Sequence, residues 1–336
     1  MNAWSWASSL NEDLTLVARP DEVHRIPTDD GAAIGLGRYL PRGHRRYREA
    51  VILCHGLGAN RFNLDFDERY SLARYLARQG FDAWVMDLRG RGLAGPCADS
   101  TFDDEAEHDV TAALRAVRAS GAPSTLWVGH SKGGMLAFAH LARHLDAPIR
   151  AGVGLGSPGT FGLQHGLKHF LRGVAPLLKL RTLPTGKLTS LAKFGPPPGP
   201  MTRYMIHLEN ADEDVVRRAL ANVPADIMGG VARQFARWIG TGSFDTADGS
   251  FDYRAQMKHI RTPFLLIAGA KDLLAPPAAV RVAQAALGGP VESVVASRAH
   301  GFLADYGHAD LVLGRHAPEE IFPRVAQFLT AHATPA

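Results

Sequence analysis

The apolar run Thr125-Leu126-Trp127-Val128 leads straight into Gly129-His130-Ser131-Lys132-Gly133, and Met135 to His144 then carries apolar residues at helical spacing. A buried strand that reverses into a helix over glycines leaves a chain few folds. The strand has to sit inside a sheet with the helix packed back against it, so a layered α/β architecture follows. The G-x-S-x-G pattern also has a chemical reading. A serine hydroxyl is a weak nucleophile, and a sharp strand-to-helix turn projects its oxygen into a cleft while the helix N-terminus favours developing negative charge. Ser131 is therefore the candidate nucleophile.

The same strand and helix rhythm recurs along the chain. Apolar runs at 51–54, 82–87, 125–129, 151–156, 263–268 and 291–296 predict strands, and helical patterns fall at about 67–79, 104–120, 133–144, 277–287 and 317–331. Residues 23–40 read as a small antiparallel hairpin around Asp29-Asp30-Gly31. With 336 residues, 46% of them hydrophobic, the chain can bury a large core. The expected organisation is an N-terminal extension over 1–22, one α/β core formed by 23–156 and 256–332, and a cap inserted over 157–255.

A serine nucleophile needs oxyanion donors, a base and an acid. The run Ala50 to Cys54 ends in His55-Gly56-Leu57-Gly58, whose small residues let a backbone N–H face a reacting carbonyl, and that N–H is assigned to Leu57. The second donor is the N–H of Lys132, the residue after the nucleophile. The acid follows a later strand: Pro263 to Ala268 leads to Gly269-Ala270-Lys271-Asp272, so Asp272 is the candidate, with capping of the helix begun by Pro276-Pro277 as its other reading. Both His300 and His308 follow the run Val291 to Ala296, and spacing leaves the two open as base.

With these residues placed, the chain resembles the α/β-hydrolase superfamily, and within it the lipase and esterase branch related to acid lipases and polyhydroxyalkanoate-synthase-like hydrolases. The resembling segments are Thr28-Asp29-Asp30-Gly31, His55 to Asn60, Ser71 to Leu76, Asp87-Leu88-Arg89-Gly90, the serine turn and Tyr306-Gly307-His308-Ala309-Asp310. The resemblance implies an α/β-hydrolase fold, a mostly parallel central sheet flanked by helices with an inserted helical cap. In that branch a histidine followed two residues later by Asp is the base, which selects His308. It implies a Ser131–His308–Asp272 triad that cleaves carboxylic esters through an acyl-enzyme. An acyltransferase using the same acyl-enzyme and a non-catalytic binding protein on the same fold are the alternatives. Lys132 departs from the branch, which usually carries an uncharged residue there.

Between Asp146 and Glu209 no acidic residue occurs. Leu163, Leu167, Phe170, Leu171, Val174, Leu177 and Leu178 recur there at helical spacing opposite His165, Lys168, His169 and Arg172. This basic amphipathic stretch reads as a lid whose apolar face, Leu167 and Phe170 included, lines an acyl pocket, with interfacial contact with anionic lipid as a stronger version, or as an ordinary helix packed on the core with a solvated basic face. The expected substrate is a small-molecule or lipid ester. The two cysteines, Cys54 and Cys97, suggest no disulfide framework or metal cluster, and no cofactor or metal is expected. A net charge of +4 without a zinc-finger, helix-turn-helix or aromatic-basic signature argues against nucleic acid. The N-terminus has no basic start with an apolar stretch behind it, and no run reaches the roughly 18 apolar residues of a membrane helix, so the expected location is cytoplasmic. Gly154-Leu155-Gly156-Ser157-Pro158-Gly159 is a literal G-x-G-x-x-G, but no acidic residue follows at the ribose-binding distance and dinucleotide binding is rejected. The pairs His140/His144 and His165/His169 read as helix-surface histidines.

Overall fold

In the computed structural model, which describes residues 14–97, 99–161, 178–190, 202 and 204–336, the apolar runs of the sequence form the middle of one sheet. Its strands are β1 (Glu22–Pro27), β2 (Ala33–Tyr39), β3 (Ala50–Cys54), β4 (Asp82–Asp87), β5 (Thr125–His130) and β6 (Ile149–Leu155). A short separate pair, β7 (Thr182–Leu183) and β8 (Ile227–Met228), precedes β9 (Phe264–Gly269) and β10 (Val291–Ala296). The large sheet runs β1-β2-β4-β3-β5-β6-β9-β10. From β4 to β10 every neighbouring pair is parallel, and β2 runs antiparallel to both β1 and β4. Burial follows from this order. β3, β4 and β5 are buried at every position, as strands covered on both faces must be, whereas β1 at the sheet edge alternates between half-buried and exposed.

Helices cover both faces. On one side Val110–Ala119, Lys132–Arg143 and Pro277–Ala286 pack on Ile52, Trp127 and Leu266; on the other, Leu72–Arg78 and Ala317–His332 pack on Val51, Val128 and Ile267. Alternate residues of β5 thus face opposite layers. Between β6 and β9 the chain carries Glu213–Asn222 and Gly229–Thr241. The second of these is fixed to the core through Phe235 and Trp238, whose rings lie 6.1 and 5.0 Å from Phe102. Among the described residues no helix is long and apolar enough to cross a membrane.

Two helices differ from their expected bounds for visible reasons. The helix expected at 67–79 begins at Leu72, because Ser71 accepts the Arg74 N–H at 3.0 Å and donates to Asp65 at 2.6 Å, which holds 65–71 as a turn. The helix expected at 104–120 opens at Phe102 on a Thr101–Asp104 capping box and passes through a π-helical stretch, Glu105–Asp109, before Val110–Ala119. That wider turn carries Glu105 and Asp109 inward, both fully buried, towards cations described below.

Candidate active site

The site grows from the C-terminal ends of β3, β5, β9 and β10, where loops of a parallel sheet converge. Ser131 directly follows β5 and has φ 52° and ψ −117°; among the described residues it is the one non-glycine residue with positive φ. A side chain is forced into this conformation only where the surroundings over-determine it. Here the surroundings are backbone. A Cβ on Gly129 would lie 2.1 Å from Gly134 N, and one on Gly133 would lie 2.1 Å from the Cys54 carbonyl oxygen, so both positions exclude any side chain. Trp127 Nε1 donates to the Gly133 carbonyl at 2.9 Å, tying the turn to the strand that feeds it.

His308 is buried, with Nδ1 2.7 Å from Asp272 Oδ2. The other carboxylate oxygen of Asp272 accepts the N–H groups of Leu274 and Ala275 at 2.8 and 2.7 Å. These bonds hold the turn after β9; the helix Pro277–Ala286 itself has Pro276 at its N-cap and no side-chain cap, so Asp272 does not cap it. His300, the other histidine, is exposed and has Nδ1 2.7 Å from the Ser297 hydroxyl. Ser131, His308 and Leu57 open on one cavity of about 350 Å³. Its described lining contains no Lys, Arg, Asp or Glu; Phe161, Leu220, Phe235 and Ile239 are typical of it. The N–H groups of Leu57 and Lys132 are not taken by another group among the described hydrogen bonds.

The Lys132 side chain does not reach this cavity. It points beneath the turn, fully buried, and its Nζ bonds Glu105 Oε2; Arg91 approaches the other Glu105 oxygen at 3.4 Å. Burial pulls the Lys132 ammonium down to about 8, with Glu105 acting to keep it charged. Next to this pair, Arg89 binds Asp109 at 2.8 Å and Asp30 at 2.6 Å, and burial lifts the Asp109 carboxyl to about 7. The departure at 132 thus concerns the floor of the site and not the charge of what enters it.

His140 corrects a surface expectation. It is buried with Nδ1 2.9 Å from the Ala106 carbonyl, and burial lowers its pKa to about 4; His144 pairs with Glu107 at 2.9 Å. His165 and His169 lie outside the described residues, as do Leu167, Phe170 and all of the basic amphipathic stretch before Leu178. Among the described residues one trio of ligand-type side chains converges, Asp30, Asp104 and His108, away from this cavity. Arg89 already engages Asp30, and Asp104 serves the capping box.

A family model described as the alpha/beta hydrolase fold matches residues 49–314, well over half of the chain. The chain belongs to the α/β-hydrolase family. Lipase lipl-3 of Caenorhabditis elegans is 27% identical to this α/β-hydrolase over 143 residues, 37% of this chain and 35% of that protein. Monoglyceride lipase of Saccharomyces cerevisiae is 30% identical over 113 residues, 31% of this chain and 34% of that protein. The match spans about a third of the length of these relatives. Among solved structures, an esterase from Exiguobacterium antarcticum superposes with a TM-score of 0.65 at 16% identity, covering 91% of this chain and 98% of the other. A monoacylglycerol lipase from Paleococcus ferrophilus gives 0.61 at 15%, covering 89% and 99%. At these identities the structural likeness speaks for the fold.

Three residues of this α/β-hydrolase site escaped the sequence reading. Asn63 Oδ1 accepts the Gly56 N–H at 3.2 Å and lies 2.8 Å from His130 Nδ1, joining the Leu57 loop to the serine turn. The only sequence signal was its place in a loop after a strand. His130 itself is buried, with Nε2 3.1 Å from the His308 carbonyl, and burial drives its pKa to about 3. Gly156, set aside with the rejected dinucleotide motif, has φ 57°, and a Cβ there would sit 3.1 Å from His308 Nδ1 and 3.2 Å from Asp272 Oδ2. Its glycine makes room for the acid–histidine pair. Asp87 stays apart, accepting the N–H groups of Arg61 and Leu93 at 2.7 and 2.8 Å as a brace between loops.

Proposed function

We propose that this chain hydrolyses carboxylic esters, with Ser131 as nucleophile, His308 as general base and Asp272 as the group that orients and stabilises the imidazolium. His308 takes the Ser131 proton as Oγ bonds to the ester carbonyl carbon, and the Leu57 and Lys132 N–H groups hold the resulting oxyanion. Collapse expels the alcohol, which leaves with the proton from His308. Water, deprotonated by the same imidazole, then attacks the acyl-enzyme and frees the acid and Ser131. One oxyanion donor is typically worth about 2.7–4 kcal/mol of transition-state stabilisation, so two backbone donors account for much of the acceleration.

The observation that carries this reading is the strained Ser131 opening, with the His308–Asp272 pair, on one cavity whose described lining has no Lys, Arg, Asp or Glu. The segment after β6, taken as the cap, supplies Leu220, Phe235 and Ile239 to that cavity, which suits an apolar acyl group. The relatives described as lipases support the same chemistry. A chain-length panel of p-nitrophenyl esters on wild type and Ser131→Ala tests it, together with labelling by a fluorophosphonate probe. Wild type should turn over esters and label, and Ser131→Ala should do neither. Labelling that persists in the variant, or no turnover of any ester by wild type, overturns it.

A further inference from the structure

The two loops that bear the base and the oxyanion donor are each pinned on both sides, and one stretch of chain supplies pins to both. His308 lies between Gly307, whose N–H donates to Asp310 Oδ2 at 2.8 Å, and Ala309, whose N–H donates to the Met205 carbonyl at 2.7 Å. The buried Asp310 carboxylate also accepts the His207 N–H at 3.1 Å and the Asn210 amide at 3.0 Å. Leu57 lies between Gly56, held by Asn63, and Gly58, whose carbonyl accepts the Ala225 N–H at 2.8 Å. Two residues on, the Asn60 N–H donates to the Val223 carbonyl at 3.1 Å and its side-chain amide to the Asn222 carbonyl at 2.7 Å.

Between these ends the chain is itself anchored. The helix Glu213–Asn222 buries Val215 in the core, and Arg218 binds Asp67 at 2.9 Å. At its C-terminus the Asn222 side chain accepts the Leu16 N–H at 3.1 Å and donates to the Leu14 carbonyl at 2.7 Å, so the residues before β1 buttress the same point.

Resting on the ester-hydrolase reading above, we propose that residues 205–225 are a rigid positioning brace which sets the His308 loop against the Leu57 loop, and that Asp310 and Asn60 are its positioning residues. Neither touches the reacting atoms; each acts through a neighbour. The brace fixes how far the imidazole stands from the oxyanion donor, a quantity to which turnover is steep, since a misplacement of about 1 Å can cost on the order of a hundredfold in rate.

Two nearly isosteric variants of the full chain test this. Asn60→Asp keeps the oxygen that accepts the Phe62 N–H at 3.0 Å but removes the amide that grips Asn222. Asp310→Asn removes one acceptor from the other end, with Asn210→Ala as the gentler variant if that protein does not fold. Each folded variant should lose about tenfold in kcat on an acetyl ester, with KM within about twofold, because the small substrate scarcely uses the cavity. Amide exchange should rise locally, over 56–60 in Asn60→Asp and over 307–309 in the variants at the other end. A wild-type kcat in a folded variant, or a lower kcat without faster local exchange, overturns the brace. A wild type that turns over no ester fails the parent reading first and takes the brace with it, an outcome distinct from active wild type with unaffected variants.

Discussion

Above and below Ser131 the molecule is built from opposite materials. Above it lies a cavity with no charged lining residue among those described; below it, the buried Lys132, Glu105, Arg91, Arg89 and Asp109, with the exposed Asp30, form a chain of ion pairs. Charges buried in pairs hold geometry more than they add stability, because desolvation cancels most of their attraction, while losing one partner is severe. An apolar cavity does the reverse, imposing little direction and admitting what fits. The lower layer should therefore control where the turn stands, and the upper one which acyl chains enter.

The largest expected effect falls on the boundary itself. Ser131→Ala should cut kcat on a short ester by at least about a thousandfold and keep its melting temperature. His308→Ala should cut kcat comparably in a protein that still folds but melts lower, since it leaves the buried Asp272 oxygen unpaired. His300→Ala should retain wild-type turnover. If His300→Ala is the crippling change, steady-state assays will have moved the base out of the cavity and broken the comparison.

Next comes the lower layer. Glu105→Gln strands a buried ammonium and should cost about 3–5 kcal/mol of unfolding free energy, read from denaturant melts. Replacing both partners, Lys132→Met with Glu105→Leu, should be markedly milder. Equal losses in the single and double variants would mean that packing, not charge, matters there.

In the upper layer, Ala236→Phe narrows the cavity without adding charge. It should lower kcat/KM for a dodecanoyl ester about tenfold while leaving an acetyl ester within about twofold, in line with the roughly 1–3 kcal/mol that an apolar pocket commands per misfit. An unchanged chain-length profile would remove this wall from substrate choice.

The smallest effect concerns protons. Burial holds His55, His130 and His140 neutral in the fold, so as pH falls through about 6.5 only the unfolded chain gains their protons and stability declines. Asp109 works in the other direction: with its carboxyl lifted to about 7, the folded state takes up a proton first and gains stability as pH falls. The Asp310 carboxyl, also raised by burial, acts with Asp109, so these two offset part of the loss from the three histidines, and thermal melts between about pH 7 and pH 6 read the balance. Asp109→Asn should steepen the loss.

What could be read from the sequence divides along the same line. The strands at 82–87 and 291–296 have the bounds expected from sequence; the first is buried at every position as an interior parallel strand must be, while the second, at the sheet edge, exposes Glu292 and Ser293. The serine turn and the loop after β3 were legible because both are local. Choosing His308 over His300 needed the resemblance, because spacing after β10 is equal evidence for both; the 2.7 Å approach to Asp272 is a tertiary fact. The Lys132–Glu105 pair and the Asn63 link join residues far apart in the chain, and no periodicity announces such partners. The π-helical stretch that delivers Glu105 was hidden within an ordinary helical pattern.

The backbone angles of Ser131 carry a consequence for the history of such a protein. A side chain held at φ 52°, ψ −117° stores strain of about 1–3 kcal/mol that glycine would release. With Ser131 as the proposed nucleophile, endurance and turnover pull this codon in opposite directions. A library of variants selected only for survival on heating should drift towards Ser131→Gly and grow sturdier as it falls silent, whereas selection that alternates heat with a demand for product would retain the serine and seek its gains elsewhere in the chain.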